Sequence, residues 1–206
     1  IIYYKTQIML RVFKAKFSQI QYSDLKETPW KNGGGITRNI AHAHMSGKLL
    51  WRLSMADVSK SGPFSDFAGL MRILTVLKGT GMTLTSSEGV QRVDLLTPVS
   101  FDGALKIHAN LISGPLTDLN VMFDPDYFDA DVTVLQGAQK QHLRPRVGQI
   151  IVIHALSGSA RINDSHSLQA GDTQFFMSHS TWLEMGRGDV GLQICLTPKT
   201  QIDASN

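Results

Sequence analysis

Apolar residues along this chain fall into short runs rich in β-branched side chains, and Gly, Pro, Asp or Ser bounds each run. That punctuation predicts strands joined by turns. Strands are expected over residues 11–17, 36–43, 49–58, 72–77, 82–85, 106–111, 120–123, 132–136, 150–156, 159–162, 173–177, 182–185 and 191–196. No stretch keeps the 3.6-residue period of a long amphipathic helix, and only 23–26 suits a helical turn. Many strands at even spacing predict an all-β sandwich, jelly roll or barrel.

The alternation is most informative from Trp51 onward. Successive side chains of a strand point to opposite faces. Trp51, Leu53 and Met55 therefore share a bulky apolar face, while Arg52, Ser54 and Ala56 share a small polar one. In a barrel, a small polar interior face leaves room for a ligand. The alternative is that Arg52 faces solvent, as most arginines do.

A faint repeat adds organisation. Leu77-Lys78-Gly79-Thr80-Gly81-Met82-Thr83-Leu84 is similar to Leu156-Ser157-Gly158-Ser159-Ala160-Arg161-Ile162-Asn163. Downstream, Leu96-Thr97-Pro98-Val99-Ser100-Phe101 parallels Ala170-Gly171-Asp172-Thr173-Gln174-Phe175. Strand, Gly turn, strand, bend and strand again is the order of a cupin half-barrel, and it recurs here in the same sequence. The crowded Asp and Pro residues of 124–131 mark the expected linker.

Composition narrows the function classes. The chain has 206 residues, 42% hydrophobic and 18% charged, enough to bury a core. Three Glu against fourteen Asp favour turns over helices. The net charge is +3, but residues 1–31 hold six Lys/Arg against two Asp/Glu, and the rest holds fourteen against fifteen. No basic stripe with interleaved aromatics is visible, so no nucleic-acid partner is expected. No long uncharged apolar run or signal peptide is visible, and Met9 suits a native start, so a cytoplasmic protein without membrane contact is expected. The lone Cys195 lies in an apolar run and reads as an inert thiol.

Four stretches carry a family resemblance. They are Thr28-Pro29-Trp30-Lys31-Asn32-Gly33-Gly34-Gly35-Ile36-Thr37-Arg38, Trp51-Arg52-Leu53-Ser54-Met55-Ala56, Ser61-Gly62-Pro63-Phe64-Ser65-Asp66-Phe67-Ala68-Gly69 leading into Arg72, and Gly114-Pro115-Leu116-Thr117-Asp118-Leu119-Asn120-Val121-Met122. Through them the chain resembles the HutD/Ves family over most of residues 22–123; the second half is similar more loosely. One departure is Asn39, where the family usually has an acidic residue. The resemblance implies an all-β double cupin, two fused jelly-roll-like barrels, with no established enzymatic activity. It also implies a regulatory role in histidine utilisation, with formylglutamate or urocanate as candidate ligands, or a stress-associated role.

Residue chemistry supplies candidates for a site. Gly33, Gly34 and Gly35 can close a tight turn or let a ligand approach main-chain N–H groups. Trp30, Asn32 and Thr37 flank them with a ring and hydrogen-bonding groups. Arg72 shares a face with Leu74 and Val76, and an Arg among aliphatics needs a partner. Asp66, Asp118 or a ligand carboxylate can be that partner. Phe64, Phe67 and Phe101 are candidate apolar walls, and Asn120 can donate to and accept from a ligand. His42 and His44 come near the Gly-x5-His-x-His spacing of metal cupins, with His108 as a third imidazole. The Gly35 spacing is off by one, and no Glu follows at 45–48.

These observations predict an N-terminal cupin over 10–123 with the pocket, a linker over 124–131 and a mainly structural C-terminal cupin over 132–198. The site is expected at Trp30, Asn32, Gly33, Gly34, Gly35, Thr37, Arg52, Ser54, Phe64, Arg72, Phe101 and Asn120. The expected partner is a small carboxylate-bearing metabolite, bound without cofactor or metal and without catalysis. The rival is a metal-dependent isomerase or dioxygenase using His42 and His44. Sheet edges make a homodimer possible.

Overall fold

A computed structural model describes residues 19–199 of the chain. The strand expected over 11–17 and the start at Met9 lie outside the described residues. In chain order the strands are β1 (Gln19–Ile20), β2 (Glu27–Pro29), β3 (Gly35–Met45), β4 (Lys48–Val58), β5 (Gly62–Pro63), β6 (Met71–Lys78), β7 (Met82–Ser86), β8 (Gly89–Val93), β9 (Val99–Asp102) and β10 (His108–Leu111). They continue as β11 (Leu116–Phe123), β12 (Phe128–Gln136), β13 (Gln139–Leu143), β14 (Ile150–Ser157), β15 (Ser159–Ile162), β16 (His166–Gln169), β17 (Thr173–Phe176), β18 (Thr181–Met185) and β19 (Val190–Pro198). A single 3₁₀ turn, Tyr22–Asp24, overlaps the expected helical turn. Among the described residues no helix is long and apolar enough to cross a membrane.

The described chain forms two compact units. The first comprises Leu25–Asp129 with Lys199; the second comprises residues 19–24 and Ala130–Pro198. These bounds differ from the expected ones at both edges. Residues 19–24 do not join the first unit, because β1 pairs with β17 of the second. Asp172 holds them there by accepting hydrogen bonds from the backbone N of Tyr22 (3.0 Å) and Nε2 of Gln19 (3.4 Å). The expected linker is also shorter, since β12 begins at Phe128. Asp124 turns the chain just before it, accepting at its backbone oxygen from the N–H groups of Tyr127 and Phe128.

Each unit is built from two sheets with a core between them. In the first, the sheet orders are β2-β3-β4-β11-β6-β9 and β5-β10-β7-β8. In the second they are β12-β19-β14-β17-β1 and β13-β18-β15-β16. Adding eight to each label of β4-β11-β6-β9 and β5-β10-β7-β8 reproduces the second unit's strand order. The sequence repeat is thus a repeat of topology, and each unit is a jelly roll of the cupin type. Its sheets stay separate and do not close into a hydrogen-bonded barrel.

The repeated Gly segments are corners between sheets. β6 and β14 leave one sheet, and β7 and β15 enter the other, so each Gly turn carries the chain across from sheet to sheet. Gly79 shows why glycine is required there. Its φ is +105°, and a Cβ would meet the Cβ of Leu116 at 2.8 Å and the backbone oxygen of Pro115 at 2.9 Å.

The first unit's core contains Ala56, Val58, Leu74, Val76, Met82, Leu84, Val93 and Val99 from both sheets. It fills only part of the interior. On β4, β6 and β11 the same inward faces change from apolar to polar along the strand, and the cavity lies at the polar end.

Candidate functional site

Three neighbouring strands form the cavity floor. β11 pairs with β4 on one side and β6 on the other, which sets Asn120 opposite Ser54 and Leu74, and Met122 opposite Arg52 and Arg72. Side chains at alternate positions therefore converge: Arg52, Ser54 and Ala56 from β4, Arg72 from β6, and Asp118, Asn120 and Met122 from β11. The loop Pro29–Asn32 forms one wall, with Thr37 beside it; Pro63, Phe64, Ser65 and Phe67 form another. The cavity volume is about 450 Å³, within the range for a small metabolite.

Arg72 is the central charge. It is only 5% exposed. Its guanidinium carbon lies 5.1, 5.4 and 5.0 Å from the ring centres of Phe64, Phe67 and Phe101. Nη2 donates to Oδ1 of Asn120 at 2.6 Å, while the buried Nε has no partner. Asn120 in turn donates from Nδ2 to Oδ1 of Asp118 at 2.6 Å. The neutral amide thus bridges a buried cation and a buried carboxyl. Burial lowers the Arg72 pKa to about 10; Asp118 opposes that shift and Arg52 adds to it. Arg72 stays charged at neutral pH. Burial raises the Asp118 pKa to about 7, against the pull of Arg72 and Asn120.

Arg52 is half-buried, and burial lowers its pKa too. Its Nε donates to Oδ1 of Asn39 at 2.8 Å, so a neutral carbonyl holds it and its charge remains uncompensated there. With exposed Lys31 on the rim, the cavity is lined by three cations and one carboxyl of raised pKa. Such a field favours an anion.

A second network fixes the wall. Arg38 is 8% exposed and bonds Glu27 at 2.6 Å and Asp57 at 2.7 Å. Asp57 also accepts from Oγ1 of Thr117 at 2.7 Å. These contacts tie β2, β3, β4 and β11 together beside the Trp30 loop. Within it, Nε1 of Trp30 donates to Oγ1 of Thr37 at 2.8 Å, so two expected ligand contacts also hold each other.

Of the expected site residues, Trp30, Asn32, Thr37, Arg52, Ser54, Phe64, Arg72 and Asn120 line this cavity. Gly33, Gly34 and Gly35 do not. Gly33 closes a turn by donating to the backbone oxygen of Trp30, and the Gly34 N–H is taken by Oδ1 of Asn32 at 2.9 Å. Gly34 lines only a smaller adjoining cavity of about 180 Å³. Gly35 lets β3 pass the backbone oxygen of Asp57 and the Trp30 ring, both of which a Cβ would strike. Phe101 does not line this cavity either; its ring stacks against Arg72, and it lines a separate cavity of about 260 Å³. Pro29, Lys31, Ala56, Pro63, Ser65, Phe67, Asp118 and Met122 complete the lining without having been among the expected site residues. Alternation along 116–123 could have found Asp118 and Met122, since both share the Asn120 face. Asp66, a candidate partner of Arg72, instead accepts from the N–H of Ala68.

The imidazoles do not converge. His42 and His44 are exposed neighbours on β3, ring centres 5.1 Å apart, and His42 meets the side chain of Asn39. His108 lies on β10, in the other sheet. Among the described residues no group of three His, Cys, Asp or Glu side chains is placed to hold a metal ion.

A family model described as HutD matches residues 22–194. The chain belongs to the HutD family. An uncharacterised 21.2 kDa protein in the hutC 3′ region of Pseudomonas putida is 37% identical over 131 residues, 60% of this chain and 68% of that protein. Protein Ves of Cronobacter sakazakii is 31% identical over 151 residues, 70% of this chain and 81% of Ves. The solved HutD of Pseudomonas fluorescens has 29% identity and a TM-score of 0.78, over 89% of this chain and all of that one. An oxalate decarboxylase of Bacillus subtilis shares the fold alone, at 11% identity and a TM-score of 0.62, over 86% of this chain and 76% of that one. The HutD chain is thus a double cupin.

The two cupins of this HutD chain differ in what they put on equivalent strands. The repeated corner aligns Leu77 with Leu156, so Ile151 stands where Arg72 does. The β14–β19 register then sets Gly191, Gln193 and Cys195 at the positions of Asp118, Asn120 and Met122. Ile151 belongs to the second unit's apolar core, and the Gln193 amide bonds Gln141 and Cys195. Cys195 is half-buried, and burial raises its thiol pKa. The charged set occurs once.

Proposed function

We propose that this HutD protein is a non-catalytic regulator whose first unit binds a small carboxylate-bearing metabolite in the Arg52/Arg72 cavity. The observation that carries the reading is the Nε of Arg72: a buried guanidinium N–H without a protein partner, on a residue lining the cavity. Leaving such a donor unmet is costly, and a carboxylate oxygen meets it with a charge-assisted bond. Arg52 offers a second cation, Asn120 and Ser54 offer neutral polar groups, and Phe64 and Phe67 offer apolar surface. Family membership supports a role in histidine utilisation, with formylglutamate and urocanate as the candidate ligands, or in the stress response of Ves relatives. The single Cys195 suits a cytoplasmic setting.

Thermal unfolding with each candidate tests the reading. Ligand at about one hundred times its Kd stabilises by about 2.7 kcal/mol, a rise of roughly 5–10 °C for a chain of this size. Arg52→Ala and Arg72→Ala are expected to fold and to lose that rise. Full ligand stabilisation in both variants would reject the site.

A further inference from the structure

We propose that Asp118 is the specificity-determining group of this cavity: it meets the bound anion as a neutral carboxylic acid, so wherever it starts ionised the carboxylate enters together with one proton from bulk water. The inference rests on the reading of the cavity as a carboxylate site and adds how that site selects its ligand.

The geometry is specific to one oxygen. Asp118 lines the cavity yet is only 1% exposed. Its Oδ1 accepts from Asn120, and among the described residues that is the carboxyl's one hydrogen bond. No direct ion pair joins it to Arg72, because Asn120 stands between them. Oδ2 is thus left for whatever enters.

The surrounding charges make the protonation state matter. Arg52 of β4 and Arg72 of β6 line the cavity with Asp118, and Lys31 lies on the rim; Asp57 of β4, bonded to Arg38 and Thr117, acts on Asp118 only through its charge. Arg38 of β3 is committed to Glu27 and Asp57. An ionised Asp118 beside an entering carboxylate sets two like charges close together at a buried position, which disfavours binding. A protonated Asp118 reverses the effect, because Oδ2–H becomes a donor to the same anion that Arg52 and Arg72 attract. The raised value of about 7 means that the acid form is already populated near neutral pH. Bond making is limited to hydrogen bonds: the proton adds to Asp118, and nothing is oxidised or cleaved.

The test is calorimetric titration of the intact protein with formylglutamate at about pH 6 and about pH 8, in buffers of different ionisation heat. If only the acid form binds, the affinity is about tenfold higher at the lower pH, with uptake of close to one proton at the higher. Asp118→Asn is expected to bind with the same affinity at both. Equal wild-type affinities without proton uptake, or tighter binding at the higher pH, overturn the role of Asp118 and leave the carboxylate site standing. No binding at either pH overturns the carboxylate reading and this inference together. The wild-type comparison decides the matter even if the variant fails to fold.

Discussion

Two buried titratable groups give this protein opposite responses to pH. Asp118 has a folded value of about 7 against an ordinary 3.8, with burial as the main cause. The folded state therefore keeps a proton that the unfolded chain has lost. Stability falls as pH rises from about 4 to about 7, and the loss is complete above that window. His154 is 1% exposed, with its Nδ1 2.9 Å from Oγ1 of Thr173, and burial lowers its value to about 4 from 6.5. The unfolded chain binds its proton first, so stability falls as pH drops from about 6.5 to about 4. The two windows overlap, so the two slopes oppose each other in the wild type. Denaturant titrations between about pH 4 and pH 6.5 should show stability rising more steeply with pH in Asp118→Asn and falling with pH in His154→Gln. Slopes identical to wild type in both variants contradict the burial argument.

Strands found from sequence and strands missed from it differ in where they pair. Central strands such as β4, β6, β11, β14 and β19 carry long apolar runs because both neighbours and one packed face bury them. β1, β2, β5, β8, β9, β13 and β16 escaped, and each is a sheet edge; of the edge strands β12 alone was expected, over 132–136. Gln139-Lys140-Gln141-His142-Leu143 shows the reason, with only Leu143 buried. An edge strand makes half its hydrogen bonds to a neighbour that the local pattern does not reveal, and polar side chains protect it. The corners make an element-scale prediction. Gly79→Ala combines an unfavourable φ with a backbone clash, so a loss of roughly 1–3 kcal/mol is expected in equilibrium unfolding. Behind the Trp30 wall, Gly35→Ala pushes Asp57 and Trp30 apart and should weaken ligand stabilisation beyond its effect on the melting temperature of the free protein.

Across the whole molecule, one topology occurs twice with different chemistry inside. The first unit keeps Arg72, Asp118 and Asn120 where the second keeps Ile151, Gly191 and Gln193. A buried ionic set is a poor source of stability, since apolar replacements of similar volume are often neutral or stabilising. Replacing the set together, Arg72→Met with Asp118→Leu and Asn120→Leu, is therefore expected to leave the melting temperature equal or higher while abolishing ligand response. The reciprocal Ile151→Arg places an uncompensated cation in the second unit's core and should cost about 3–5 kcal/mol. A destabilised triple variant together with a tolerated Ile151→Arg would show that the two interiors do not divide the work in this way.

The faces of β4 were legible from sequence because strand alternation is a local property: Arg52, Ser54 and Ala56 needed only their spacing to be set together. The Pro-Trp-Lys-Asn-Gly-Gly-Gly string and its three companions were enough for the family and its double-cupin fold. Tertiary structure alone decided that Asn120 bridges Arg72 to Asp118, that Phe101 backs Arg72, and that Gly33–Gly35 close a turn. Those roles depend on the register of β11 against β4 and β6, and β11 is dozens of residues from either partner along the chain. A one-residue change of register turns Asp118 and Asn120 out of the cavity, and nothing in their neighbouring residues records which register the sheet adopts.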